Sequence, residues 1–264
     1  MQPYILLVLQ TSVVILGAIG LALWLRRALP APWSVWGWGA LAFVGSQAVR
    51  LPLLTALTVV SRPYFSGIDA DSAFWINFAV LVPTSGLFEE GARYIVLCWA
   101  AKNARRWEDA VMFGAGHGGI EAILVFGASL VSSLVLLATG DAVLAALQQT
   151  APEQVAAVSA QLATLHSLQP LTILPGIWER VLAITFHISA SILVLLAVRE
   201  RRLSLLLLAM LWHMTLNGAL LIVTRFFGLG VAEVALTLIS LLAVAIIVGT
   251  RRAERRRLVA VPGM

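Results

Sequence analysis

Residues 73–100 read AFWINFAVLVPTSGLFEEGARYIVLCWA. The length is that of a membrane-crossing helix, which needs about 20 predominantly apolar residues. Yet its second half carries Glu89, Glu90 and Arg93, and a charge at mid-bilayer costs at least about 2.5–3.5 kcal/mol on insertion scales. The rest of the chain decides how to read it. Of 264 residues, 60% are apolar and 12% charged, against about 45–50% and about 25% in a soluble domain. A soluble globular fold, a disordered chain and a disulfide scaffold are all excluded. The one cysteine, Cys98, can form neither an internal bridge nor a thiolate metal cage. The stretch therefore reads as a span that keeps its charges for use.

Seven apolar stretches are long enough to cross a bilayer, roughly 4–25, 33–60, 73–100, 109–138, 171–198, 203–224 and 229–250. The second is interrupted at Arg50 and Pro52 and is expected to kink or tilt. The first follows Met1-Gln2-Pro3-Tyr4, with no basic leader and no small-residue cleavage site, and reads as a retained helix. Thirteen of the 18 basic residues fall in one set of loops, including Arg26, Arg27, Lys102, Arg105, Arg106 and Arg199. The opposite loops hold Arg62 and Arg225, and Arg50, Arg93 and Arg180 lie inside spans. The positive-inside rule then sets the N-terminus outside and the C-terminus in the cytoplasm. The net charge of +5 is a topology signal, and no nucleic-acid partner is expected. The fold class is all-α, a polytopic transmembrane helical bundle of about seven spans, N-out/C-in, forming a single membrane domain over 1–264. Its site helices cover about 73–138 and 171–224. Residues 139–170 are expected to form an external amphipathic segment after Pro152, with His166 at the solvated surface.

Four spans carry ionisable residues. At about 100° per residue, Arg93 lies about 40° and Glu90 about 100° from Glu89, so all three share one side of their helix. The next span reads Phe113-Gly114-Ala115-Gly116-His117-Gly118-Gly119-Ile120-Glu121. His117 and Glu121 stand one turn apart, among glycines that let another backbone approach. The fifth span holds Glu179-Arg180 and His187, and the sixth holds His213 and Asn217, again one turn apart. Counted from the basic end of each span, Glu89, Glu90, His117, Glu121, His187, His213 and Asn217 lie about 8–14 residues in. At ~1.5 Å per residue that is one slab ~12–21 Å deep. Neighbouring helices run antiparallel, so this agreement points to one polar site, expected as a small cavity in the cytoplasmic half. Glu179 and Arg180 lie further along, expected to pair structurally or to support the site from above. Arg93 sits between two acids. Pairing it with Glu90 leaves Glu89 the less compensated carboxylate, suited to act as a base.

These residues carry a resemblance. The chain resembles the YhfC group of intramembrane proteases, within the superfamily of CAAX-prenyl endopeptidases and bacteriocin-processing enzymes. The PrsW proteases and the scaffold subunit of gamma-secretase share that superfamily. Its pattern is a double glutamate with a following basic residue, then Phe-x-x-x-His, then His-x-x-x-Asn. Here the motifs are Glu89-Glu90-x-x-Arg93, Phe113-x-x-x-His117 and His213-x-x-x-Asn217. The first is one residue shorter than in the CAAX-processing branch, and Glu121 and His187 are additions to that branch. The resemblance covers residues 85–220.

It implies an endopeptidase cleaving membrane-embedded or lipid-anchored peptide substrates within the lipid bilayer, in a bacterial plasma membrane. Carried over, Glu89 activates water with His117, His213 and Asn217 stabilise the oxyanion, and Glu90 and Arg93 orient Glu89. Glu121, Glu179 and His187 are additional groups around the site. The cofactor is either none or zinc. His-Glu-x-x-His is absent, but Glu89, His117, His187 and His213 are candidate metal ligands. Two other readings stay open: an ion- or proton-coupled transporter, since buried Glu, His and Arg also form relays, and a catalytically silent scaffold of the same fold.

Overall fold

The computed structural model describes residues 3–65 and 67–260. Among them there is no strand. Eight α-helices follow one another: α1 Pro3–Ala28, α2 Trp33–Ser61, α3 Ala70–Trp99, α4 Trp107–Thr150, α5 Pro152–His166, α6 Leu174–Glu200, α7 Leu203–Phe227 and α8 Leu229–Ala260, with a short 3-10 turn at Pro170–Ile173 before α6. Met1 and Gln2, on which the reading of a retained first helix partly rests, lie outside the described residues.

Helix boundaries follow local chemistry. Pro32 precedes α2, and Pro152 opens α5 where a missing N–H costs nothing. Gly228, at φ 83°, ends α7, and Arg201, at φ 52°, turns the chain between α6 and α7. At the start of α3, Asp69 accepts hydrogen bonds from the backbone N–H groups of Asp71 and Ser72 and from the Ser72 hydroxyl. Those Ser72 contacts hold the Asp69 carboxyl below its usual range. The cap therefore contributes fully above the unfolded pKa, about 3.9, and is lost as pH falls through the lower folded value.

Six of the described helical stretches are long and apolar enough to cross a membrane: α1, α2, α4, α6 with the turn before it, α7 and α8. Their outward faces present large apolar side chains, among them Leu16, Val59, Val60, Leu207, Leu211 and Leu241, as lipid contact requires. The chain is thus an integral membrane helical bundle. α3 has 30 residues but falls outside that group, since Asn77, Pro83, Glu89, Glu90 and Arg93 dilute it. It packs against α2, α6 and α7.

One boundary differs from expectation. Residues 139–150 do not stand apart from the fourth helix but continue it as α4, which breaks only at Ala151–Pro152. Nothing in 139–150 stops a helix, and Gly140 gives room for Leu162 when α5 folds back: a Cβ there would lie 2.7 Å from a Leu162 methyl. His166 is exposed at the end of α5, as expected.

α6 is the most enclosed helix, with residues 186–195 buried without a break. It touches α1, α3, α4, α7 and α8. At the basic end, the loop from α3 to α4 is pinned rather than loose. Arg105 donates to the carbonyls of Leu97 and Ala104, Arg106 donates to the carbonyl of Pro30, and buried Asp109 accepts from the N–H groups of Arg105 and Arg106. Asp109 in turn raises the pKa of the Arg106 guanidinium. Arg199 grips Glu254 through both carboxylate oxygens at 2.7 and 2.8 Å, which ties the last turns of α8 to α6.

Candidate active site

Glycines set the distance between the helices that carry the site. A Cβ at Gly116 would lie 2.0 Å from the Trp36 carbonyl oxygen, and one at Gly39 2.0 Å from that of Phe113, so α2 and α4 touch backbone to backbone. Gly114 and Gly118 do the same for α4 on α6: added Cβ atoms would meet Ile188 Cα at 2.5 Å and His187 Cβ at 3.1 Å. Gly86, one turn before Glu89 and Glu90, brings α3 within 2.6 Å of the Met210 carbonyl oxygen on α7 in the same sense. His117, His187 and His213 are thereby drawn toward the charged turn of α3, with ring centroids 5.1 Å apart for His117–His187 and 5.6 Å for His187–His213. Phe43 closes on His117 edge-on, and Phe186 packs edge-on against both His187 and His213.

Arg93 is the hub. Fully buried, it reaches Glu90 at 2.5 Å through Nη1, His187 Nδ1 at 2.6 Å through Nη2 and His117 Nδ1 at 3.2 Å through Nε. It stands 4.0 Å from Glu89. Arg93 thus lies closer to Glu90 than to Glu89, which has further partners. Glu89 Oε1 accepts from Gln47 Nε2 at 3.1 Å. Its Oε2 faces His117 Nε2 at 3.1 Å and His213 Nε2 at 3.8 Å. Glu90 Oε1 also takes His213 Nδ1 at 2.7 Å. Beyond His187, Glu121 Oε2 lies 2.5 Å from His187 Nε2, and Arg180 bridges Glu121 at 3.3 Å to neighbouring Glu179.

The donors fit a divalent metal in kind and spacing. Ligand atoms of Glu89, His117 and His187 all lie within 4.8 Å of one another and are buried, and two imidazoles with a carboxylate make a known catalytic zinc set. His213 is oriented as a ligand would be. Its Nδ1–H is held by Glu90, which turns the Nε2 lone pair toward Glu89.

A cavity of about 270 Å³ adjoins this cluster, lined by Glu89, His187, His213, Asn217, Gln47 and Arg50, among others. His117 is sealed behind it, with no exposed surface. The cavity does not stay at the level of the histidines. Arg50, Glu179 and Arg180 also line it, so it extends toward the helix ends remote from the basic loops, because the glycine contacts close the basic side. Glu179 stands at that far end, away from the histidine cluster. Asn217 lines the wall, its Nδ2 donating to Ser85 Oγ at 2.7 Å.

Gln47, Arg50 and Gly86 were not singled out as site residues from sequence. The signal was present: Gln47 and Arg50 are polar residues three apart, on one face of an otherwise apolar span.

A family model for the YhfC intramembrane metalloproteases matches residues 13–248. The chain is also 31% identical to the uncharacterized membrane protein YhfC of Bacillus subtilis (strain 168), over 95% of its own length and 97% of that protein's. No solved structure matches. The chain belongs to the YhfC intramembrane metalloprotease family.

Proposed function

We propose that this member of the YhfC family is a metal-dependent intramembrane endopeptidase whose water-activating carboxylate is Glu89. The observation that carries the reading is the single oxygen, Glu89 Oε2, that faces the Nε2 atoms of both His117 and His213 inside a buried, cavity-lined cluster. Glu89, His117 and His187 are the groups that would hold the ion. When bound, the metal supplies Lewis-acid polarisation and a water acidic enough to attack near neutral pH.

The chain's own residues do the rest. Gln47 donates to Oε1 of Glu89, which fixes the carboxylate, and the oxygen that does not hold the ion accepts the proton of the attacking water. That proton then passes to the leaving amine. Glu90 holds Arg93 and His213 in place and acts through them. Asn217 spends one amide N–H on Ser85; the second is free to donate to the oxyanion as negative charge develops. Asn217→Ala is expected to lower kcat about 10²–10³-fold with KM little changed, read on a reconstituted peptide substrate. Ser85→Ala is expected to lower kcat less, since it only orients the amide.

One observation favours a second reading, a metal-free glutamate mechanism. Arginine only donates, so Arg93 bonding to Nδ1 of His117 and of His187 places the ring proton of each on Nε2, where a metal would bind. Metal analysis separates the two. The metal reading expects about one zinc per chain in purified protein, loss of activity with a strong chelator, recovery with zinc, and loss of bound zinc in His117→Ala. Full activity in metal-free protein would establish the second reading.

The topology belongs to the same proposal: seven spans with α3 included, N-terminus outside. A reporter fused after residue 260 is expected to be active only in the cytoplasm, and external activity would reverse the orientation.

A further inference from the structure

Three arginines fall within the apolar stretches read from the sequence as spans: Arg50, Arg93 and Arg180. Two of them are paired within the protein, Arg93 with Glu90 at 2.5 Å and Arg180 with Glu121 at 3.3 Å. Arg50 differs. Its Nε donates to the Thr84 hydroxyl at 3.4 Å and its Nη2 to the Leu81 carbonyl at 3.0 Å. Both acceptors are neutral, and among the described residues no carboxylate comes within ion-pair distance. The side chain lines the same cavity as Glu89 and Asn217.

Depth sharpens the point. Arg50 stands 11 residues from the Ser61 end of α2 and 17 from Trp33. At ~1.5 Å per residue these are ~16 and ~26 Å, so Arg50 stands well away from either end of the helix. A guanidinium held there by neutral oxygens, with donors left over and facing a cavity, is short of an anion. Carboxylates are what its fork matches.

We propose that Arg50 binds a carboxylate of the peptide substrate, deepening the peptidase reading on which this rests. The position sets a distance. Gln47, one turn from Arg50, touches Glu89, while the guanidinium is anchored to Thr84 and Leu81, five and eight residues back along α3 from Glu89. The separation along the helix axis is ~8–12 Å. An extended peptide rises about 3.3 Å per residue, so the recognised carboxylate lies about two to four residues from the cleaved bond. Either a chain terminus or an aspartate or glutamate side chain supplies it.

The test is binding, kept apart from cleavage by using full-length Glu89→Gln protein in detergent micelles. The probes are dye-labelled apolar decapeptides in two matched pairs: free-acid against amidated C-terminus, and a central Asp against Asn. Anisotropy is expected to show the anionic member of at least one pair binding on the order of tenfold more tightly; which pair does so tells a terminal from a side-chain carboxylate. Arg50→Gln in the same background is expected to erase the difference while leaving the neutral peptide's affinity unchanged. A merely structural Arg50 would weaken all four peptides alike. If Arg50→Gln does not fold, Arg50→Lys decides, with a reduced preference of the same sign expected and an undiminished one counting against the proposal. It is overturned if the parent shows no acid preference or binds no peptide, if Arg50→Gln retains the preference, or if short-chain anionic phospholipid displaces the peptides by occupying Arg50. Acid-selective binding together with a wild-type protein that cleaves nothing would instead overturn the peptidase reading and keep the subsite.

Discussion

Glu89→Gln is expected to abolish detectable cleavage, a loss of about 10²–10⁴-fold or more, while the protein inserts, folds and purifies like the parent. The substitution keeps the size of the side chain and its contact with Gln47, but removes the charge that faces His117 and His213. Arg93 does not lose its counter-ion, because that is Glu90. The fold therefore has little reason to suffer. Glu90→Gln should behave in the opposite way. It strips a buried guanidinium of its closest acid and frees His213 Nδ1, so thermal stability is expected to fall together with activity. Breaking a buried pair by removing one partner costs about 3–5 kcal/mol. The comparison to make is turnover and melting temperature, side by side, for both variants in the same detergent. Wild-type turnover by Glu89→Gln would sink the metal-dependent and metal-free mechanisms together.

Gly116→Ala is expected to have an effect nearly as large through packing alone. The new Cβ would sit 2.0 Å from the Trp36 carbonyl oxygen, a backbone atom that cannot rotate aside. α2 and α4 must separate by more than 1 Å, and overpacking of this kind costs about 1–3 kcal/mol or more. His117 is the next residue and Gln47 lies on the helix pushed away, so both partners of Glu89 move. Misplacement by about 1 Å is enough for about 10²-fold in rate. Gly127→Ala on the same helix is the control, since nothing lies within 4 Å of its added Cβ. It is expected to leave melting temperature and turnover close to wild type. Equal behaviour of the two variants would mean that α2 and α4 do not meet as closely as described.

Much of this arrangement is legible in the chain itself. Apolar lengths and basic loops mark the helices, and counting inward from the basic ends brings Glu89, His117, His187 and His213 to one level. The spacing Glu89-Glu90-x-x-Arg93 puts Arg93 within reach of both acids but does not say which one it takes. Depth counting has no sideways component, however, and that is where it stops. It cannot tell that Arg93 reaches across to two histidines on different helices, or that Asn217 turns to Ser85. Neutral Gln47 draws no attention in a search for charges, although it is the partner of Glu89. The length of α4 escaped because apolarity, which ends near residue 138, is a property of lipid contact, whereas the helix continues to Thr150 on hydrogen bonds and its packing with α5. The extension of the cavity toward Arg50 and Glu179 follows from glycine contacts on the other side, which become visible only once the helices are paired.

The sharing of Arg93 bears on how the protein is made. Its ring partners, His117 and His187, belong to α4 and α6, both synthesised after α3. When α3 first leaves the ribosome, Gln47 of the earlier α2 is already made, but the histidines that bond to Arg93 and Glu90 are not, and among the described residues α3 is the long helix that falls short of the apolarity of the other six. The last histidine of the cluster, His213 on α7, arrives only when most of the chain has been translated. Until α7 is made, a nascent chain has no assembled cluster of glutamates, arginine and histidines. Assembly of the site is thereby tied to the near-completion of the chain.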